Sequence, residues 1–211
     1  MSPIPEGARL VLATGNQNKV KELREILREA IQGFREDTVI GLRDLGLPSP
    51  TEDGVTFEEN SLVKARAVAE ASGLPAVADD SGLVVDVMGA APGVFSARWA
   101  GAHSNDEENL ELLLEQLADV PDHHRRAKFV CAATLVTPDG HSRTEYGELV
   151  GVLLRRPRGE NGFGYDPIFQ PIGHARSLAE LTAEEKNSIS HRAKALRLLT
   201  DDIASVVSRR V

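Results

Sequence analysis

The sequence has 211 residues, of which 41% are hydrophobic and 27% charged, and its formal net charge is −8 at pH 7. This length and apolar content suit one large globular domain, and the acidic balance argues against a nucleic-acid or anionic-membrane surface. A single cysteine, Cys131, excludes an internal disulfide and predicts a reducing, cytoplasmic location. No apolar stretch approaches the roughly 18 residues of a membrane span, and residues 1–8 are expected to form a loose tail.

A strand, a tight polar loop and a helix follow this tail. Residues Arg9–Thr14 form an apolar run typical of a short strand. Beyond the loop, apolar residues recur at helical spacing at Val20, Leu23, Leu27 and Ile31. The start of such a helix suits a phosphate group, and Lys19 adds a positive charge there. The glycine spacing of a Walker loop is absent, so a unit that binds nothing remains the alternative.

Two adjacent carboxylates interrupt an apolar run at residues 76–87. We expect a buried strand to end at Asp79, to turn at Ser81-Gly82 and to resume. Buried carboxylates need compensation, and Mg²⁺ with a phosphate is a natural candidate. Successive side chains of a strand point to opposite faces, so one pocket receives one of Asp79 and Asp80 unless the turn has begun. The alternative is that both aspartates cap the turn.

Capping boxes predict the start of three later helices, at Thr56-x-x-Glu59, Ser104-x-x-Glu107 and Thr182-x-x-Glu185. By periodicity alone, Asn60, Lys64 and Arg66 on the first of these helices belong to a solvated face, and Lys186 on the third is unremarkable. Residues 126–136 and 143–154 predict a β-hairpin. Strands alternating with helices at both ends, with a hairpin between them, favour an α/β domain with a mixed sheet.

A glycine-rich loop at residues 159–169 surrounds an aromatic side chain. Its glycines would let the backbone approach a ligand closely, and Phe163 is well placed to stack on a base. The alternative is a plain turn with Phe163 buried.

Together, six motifs resemble those of the inosine triphosphate pyrophosphatase family over nearly the whole chain. They are Ala13-Thr14-Gly15-Asn16-x-x-Lys19, Thr56-Phe57-x-x-Asn60 with Lys64-Ala65-Arg66, Ala78-Asp79-Asp80-Ser81-Gly82-Leu83, Pro92-Gly93-x-x-Ser96-Ala97-Arg98, Gly162-Phe163-Gly164-Tyr165-Asp166-Pro167 and Glu185-Lys186-x-x-Ile189-Ser190-His191-Arg192. Each string is weak alone, but six in this order are highly specific.

The resemblance implies an elongated mixed β-sheet flanked by helices, with two lobes and a central nucleotide cleft, in a single domain over residues 9–211. It also implies a Mg²⁺-dependent enzyme that hydrolyses ITP, dITP and XTP to the monophosphate and pyrophosphate, removing abnormal purine nucleotides from the pool. A homodimer is expected, with no nucleic-acid or membrane partner.

Carried onto this sequence, the family's site residues predict specific roles. Glu52 and Asp80 would be the metal ligands, and Asp80 also the proton acceptor. The substrate contacts would be Thr14, Gly15, Asn16, Gln17, Asn18, Lys19, Lys64, Ser81, Phe163, Gly164, Tyr165, Asp166, Lys186, His191 and Arg192. Donors from His191 or Arg192 to a 6-oxo group would favour hypoxanthine and xanthine over adenine.

Three other functions stay open on the residues alone. A similar fold could hydrolyse pyrimidine or modified nucleotides, a sensor could bind nucleotides without turnover, and a domain could use these acids merely to cap turns. A panel of nucleoside triphosphates would test the first, pyrophosphate release with Mg²⁺ would exclude the second, and failure to bind any nucleotide would favour the third.

Overall fold

The computed structural model describes residues 2–208 and contains a six-stranded sheet flanked by helices. The strands are β1 (Leu10–Leu12), β2 (Val39–Gly41), β3 (Ala76–Val85), β4 (Arg126–Val136), β5 (Ser142–Leu153) and β6 (Phe169–Pro171). Their order in the sheet is β2-β1-β3-β4-β5-β6. Strand β1 runs parallel to β2 and β3, whereas β5 and β6 are antiparallel, so the sheet is mixed. The predicted α/β class is confirmed.

The helices are α1 (Gln17–Ala30), α2 (Leu42–Leu45), α3 (Phe57–Ser72), α4 (Asp106–Gln116), α5 (Ala183–Ile189), α6 (His191–Leu198) and α7 (Thr200–Val207). The capping boxes predicted at Thr56 and Thr182 are confirmed. The box predicted at Ser104 is wrong by one residue, because Asn105 and Glu108 cap α4. Within residues 2–208, no helix has the length and apolar character needed to cross a membrane.

The chain divides into two compact units. The first unit comprises the described part of residues 1–80, 131–147 and 192–211, and the second comprises residues 81–130 and 148–191. In the first unit, Val77 of β3 packs in an apolar cluster with α1 and α6, whereas the next residue, Ala78, packs in a cluster with α3. This alternation is that of a strand buried on both faces. The second unit has its own cluster, which includes Leu83, Leu113 and Phe169.

Strand β3 is longer than predicted. The sequence placed a turn at Ser81-Gly82, but the strand continues unbroken from Ala76 to Val85, so that prediction is wrong. The carboxylates of Asp79 and Asp80 accept hydrogen bonds inside the first unit, which compensates their charge without a turn. The strand therefore carries two acidic side chains on opposite faces.

Candidate active site

The loop from β1 to α1 forms a helix start that is open to solvent. Asn16 is the N-cap of α1, and its side chain accepts a hydrogen bond from the Asn18 N–H at 2.9 Å. The Thr14 hydroxyl accepts from the Asn16 N–H at 3.1 Å, which shapes the loop. No acidic residue lies in the first turn, and a side chain at Gly15 would meet no atom within 4 Å. The segment Thr14–Lys19 can therefore approach an anion.

Asp79 is a buried carboxylate that gathers positive charge in the first unit. Its side chain accepts hydrogen bonds from Lys19 Nζ at 3.0 and 3.2 Å and from Arg192 Nε at 3.0 Å. On the other side of Arg192, its Nη1 atom lies 3.6 Å from Glu22 of α1. The residue is 6% exposed, so these contacts compensate a charge almost cut off from water.

Burial and the neighbouring charges shift the pKa values of the two acids of this cluster in opposite directions. Burial alone would raise the pKa of Asp79, but the positive charges of Arg192, Lys19 and Lys64 outweigh it and hold that pKa well below its usual value. Burial raises the pKa of Glu22, and Arg192 offsets only part of that effect. Asp79 is therefore the firmly ionised partner of the two cations.

A second cluster joins the two carboxylates predicted to bind metal. Lys64 Nζ donates to Glu52 at 2.7 Å and to the backbone carbonyl of Asp79 at 2.7 Å, and it lies 3.8 Å from Asp80 Oδ1. The Asn60 amide donates to Asp80 at 3.0 Å and accepts from the Gly54 N–H at 2.8 Å, which ties Asp80 to the loop that carries Glu52. Lys64 is 8% and Asn60 1% exposed, so the interpretation of their positions as a solvated helix face is wrong.

The donor set of Glu52 and Asp80 fits a magnesium ion. Both carboxylates lie beside the Lys64 ammonium, at 2.7 Å and 3.8 Å, which brings the two acidic groups into one place while offsetting part of their negative charge. Among residues 2–208 no group of three or more His, Cys, Asp or Glu side chains could hold a metal. Mg²⁺ needs only one or two carboxylates when substrate phosphates and water complete its shell.

In the second unit, the glycine-rich loop presents Phe163 to solvent. Phe163 is 66% exposed, so the alternative of a buried phenylalanine is wrong. The buried Asp166 carboxylate accepts from the Phe163 N–H at 2.9 Å and pairs with Lys186 of α5. The Lys186 ammonium lies 4.6 Å from the centre of the Phe163 ring. Asp166 therefore holds both the Phe163 backbone and the lysine.

The second unit also contains three further residues that were predicted to contact the substrate: Tyr165, His191 and Ser81. The Tyr165 hydroxyl is buried and donates to the Ser96 carbonyl at 2.8 Å, and burial raises its pKa. The His191 ring stacks on Phe129 at a centroid distance of 5.1 Å. The Ser81 hydroxyl is buried and makes no hydrogen bond to the described residues. An unsatisfied buried hydroxyl is unusual and can serve a ligand.

A family comparison decides what kind of protein carries these clusters. The model of the Ham1 family matches residues 10–202, which is most of the chain. The chain belongs to the Ham1 family.

Relatives and solved structures agree with this Ham1 assignment. A Streptomyces coelicolor protein named dITP/XTP pyrophosphatase is 59% identical over 191 residues, covering 90% of this chain and 94% of the relative. The structure of a HAM1 protein from Coxiella burnetii matches with a TM-score of 0.85 and 40% identity over 94% of this chain and 99% of that one. A nucleoside-triphosphatase / dITP/XTP pyrophosphatase structure from Mycobacterium abscessus matches with a TM-score of 0.74 and 46% identity, covering 90% and 98%. The resemblance to inosine triphosphate pyrophosphatases is confirmed.

The structure of this Ham1 family protein also shows the contacts of residues to which the sequence assigned no role. Asp79, unassigned by the motifs, pairs with Lys19 and Arg192, and Glu22 joins them although no motif pointed to it. The only sequence signal for Glu22 is its position one helical turn after Lys19. Arg98 lies over the Phe95 ring, and the Trp99 indole donates to Gln116.

Proposed function

We propose that this Ham1 family protein is a nucleoside triphosphate pyrophosphatase that hydrolyses ITP, dITP and XTP to the monophosphate and pyrophosphate. The observation that carries the proposal is the 59% identity, over 90% of the chain, to a relative named dITP/XTP pyrophosphatase. Removal of these abnormal purine nucleotides from the nucleotide pool is the consequence. In line with the family resemblance we also propose a homodimer, and the single cysteine fits a cytoplasmic enzyme.

The acidic groups of the first unit receive the metal and proton roles. In this proposal Glu52 and Asp80 would hold Mg²⁺, an assignment supported by the closeness of both carboxylates to the Lys64 ammonium and hence to each other. Bound magnesium supplies charge compensation for the phosphate oxygens. Asp80 accepts the proton of the attacking water as the water oxygen bonds to the α phosphorus, the α–β bond breaks and pyrophosphate leaves. The Asn60 amide holds the Asp80 carboxylate in one orientation for this step.

The positively charged side chains are proposed to bind the phosphate groups of the substrate. The open helix start at Thr14–Lys19 would contact the triphosphate, and Lys64 and Lys186 would offset charge as it moves toward the leaving pyrophosphate. Preformed charges of this kind stabilise a transition state without reorganisation, because their hydrogen bonds already orient them.

Selection of the base is proposed to rest on polar pairing. Donors from His191 or Arg192 to the 6-oxo group of hypoxanthine or xanthine would leave the amine of adenine unpaired, which an apolar pocket cannot penalise as strongly. Phe163, exposed between glycines, would stack on the base, and Gly164, Tyr165 and Asp166 would hold its loop.

The test is release of pyrophosphate from inosine, xanthosine, guanosine and adenosine triphosphates, with magnesium and with chelator. We expect pyrophosphate from the inosine and xanthosine substrates with magnesium, much slower release from adenosine triphosphate, and none in chelator. Guanine also carries a 6-oxo group, so slow release from guanosine triphosphate would mean that its 2-amino group is rejected. The variants E52Q and D80N should lose turnover, whereas D122N, in an exposed ion pair with Arg155, should not. Orthophosphate as the product, or a preference for pyrimidine triphosphates in a wider panel, would contradict the proposal.

A further inference from the structure

One carboxylate oxygen of the first unit accepts hydrogen bonds from two positively charged side chains that are far apart in the sequence. Asp79 Oδ2 accepts from Lys19 Nζ at 3.0 Å and from Arg192 Nε at 3.0 Å. The donors lie 60 and 113 positions away along the chain. Without the carboxylate, two positive charges this close would repel each other, so Asp79 is what permits their common arrangement.

Arg192 is held from a second side as well. Its Nη1 atom lies 3.6 Å from Glu22 Oε2, and both side chains are largely buried, at 15% and 13% exposed. Glu22 lies one turn after Lys19 on α1, so charges alternate in the order Lys19, Asp79, Arg192, Glu22. Such a chain restricts both cations to one geometry, because a movement of either one disturbs the shared carboxylate.

Stability alone is a poor explanation for this arrangement. Replacing buried ion pairs by apolar residues of similar volume is often neutral or stabilising, since desolvation offsets most of the Coulomb attraction. Asp79 lies two positions after Val77 on β3, so it faces the same side as the apolar cluster that contains Val77, and apolar residues could extend that cluster. Positioning of the two cations is a reason to keep the charges.

We propose that Asp79 is a positioning residue that holds Lys19 and Arg192 in one arrangement and thereby couples the grip on the triphosphate to the selection of the base. This inference rests on the proposed function, which assigns Lys19 to phosphate and Arg192 to the base. In this proposal Asp79 itself contacts neither part of the substrate. Losing it releases both cations at once, so phosphate affinity and base discrimination should fall together.

The first experiment compares D79N with D79E and with the matched control D122N, whose carboxylate pairs on the surface with Arg155. For D79N we expect KM for inosine triphosphate to rise and the inosine-to-adenosine ratio of kcat/KM to fall, each by about tenfold or more, since small displacements of positioned groups have effects of that size. D79E keeps the charge and should recover part of both losses. D122N should match the wild type.

A second experiment tests Lys19 positioning without catalysis. Titration calorimetry with inorganic tripolyphosphate in chelator should show weaker binding to D79N than to wild type by about tenfold, the size expected when a charge-assisted contact is lost. If the wild type releases no pyrophosphate from any triphosphate but D79N still loses tripolyphosphate binding, the proposed function fails while the positioning of Lys19 stands.

A cycle of K19M and R192K reports the coupling even if D79N does not fold. Because both cations share one carboxylate, their effects on the inosine-to-adenosine ratio should be non-additive by about threefold or more. Additive effects in this cycle would overturn the proposal. So would a D79N or D79E variant whose melting temperature falls while KM, base ratio and tripolyphosphate affinity stay at wild-type values.

Discussion

The variant K64M removes the ammonium that joins the two acidic groups of the first unit while keeping an aliphatic stem of similar length. Lys64 Nζ makes 2.7 Å hydrogen bonds to the Asp79 carbonyl and to Glu52 and lies 3.8 Å from Asp80. The carbonyl is buried, so losing its charged donor should cost about 1.5–3 kcal/mol. The Glu52 side chain is 38% exposed, which limits that pair to about 1 kcal/mol or less.

Together these contacts predict that the free energy of unfolding falls by about 1.5–4 kcal/mol. For a chain of this size each kcal/mol lowers the melting temperature by roughly 2–4 °C. Urea unfolding, followed by the fluorescence of Trp99, measures the difference. The matched control is K128M, because Lys128 pairs at 2.6 Å with Glu148 on the surface, where loss should cost about 1 kcal/mol at most.

Magnesium provides a second and more specific readout. In K64M the Glu52 and Asp80 carboxylates no longer have Lys64 beside them, so added Mg²⁺ should stabilise this variant more than the wild type in the absence of nucleotide. The reasoning is refuted if K64M and K128M are equally stable. It is also refuted if magnesium shifts the unfolding midpoint of K64M no more than that of the wild type.

Two further predictions concern the second unit. Hydrogen bonds from Arg176 and from the Thr182 N–H lower the pKa of Glu185 to about 2. The ionised Glu185 carboxylate therefore stabilises the fold fully above the ordinary pKa of 4.5, and this stabilisation is lost as the pH falls toward 2. The melting temperature of E185Q should lie below that of the wild type at pH 7, and the difference should disappear between pH 5 and pH 2. G162A should raise KM for inosine triphosphate and destabilise more than G164A. Both glycines have positive φ, but a side chain at Gly162 would collide with Asp166, whereas one at Gly164 meets no atom within 4 Å. Equal effects of the two variants on the melting temperature and on KM would contradict this prediction.

Local patterns predicted several elements well because their causes are local. The helix of residues 57–72 begins at the predicted capping box and ends before Gly73, and the predicted strand over residues 126–136 is confirmed. Prediction failed at Ser81-Gly82, where polar residues and a glycine resemble a turn. Tertiary partners of Asp79 and Asp80 overcame that local signal and kept the strand continuous.

The amino-acid sequence by itself determined the α/β class, the family resemblance and the identity of the acids and lysines that carry the proposed chemistry. It did not reveal which charged side chains pair with one another. Asp79 pairs with Lys19 and Arg192, which are 60 and 113 positions away in the sequence, and Lys64 joins Glu52 to β3. These side chains meet only because α1, α3 and α6 pack against the sheet. Periodicity reports which face of an element is apolar, whereas electrostatic pairing depends on distances that exist only once those faces are packed.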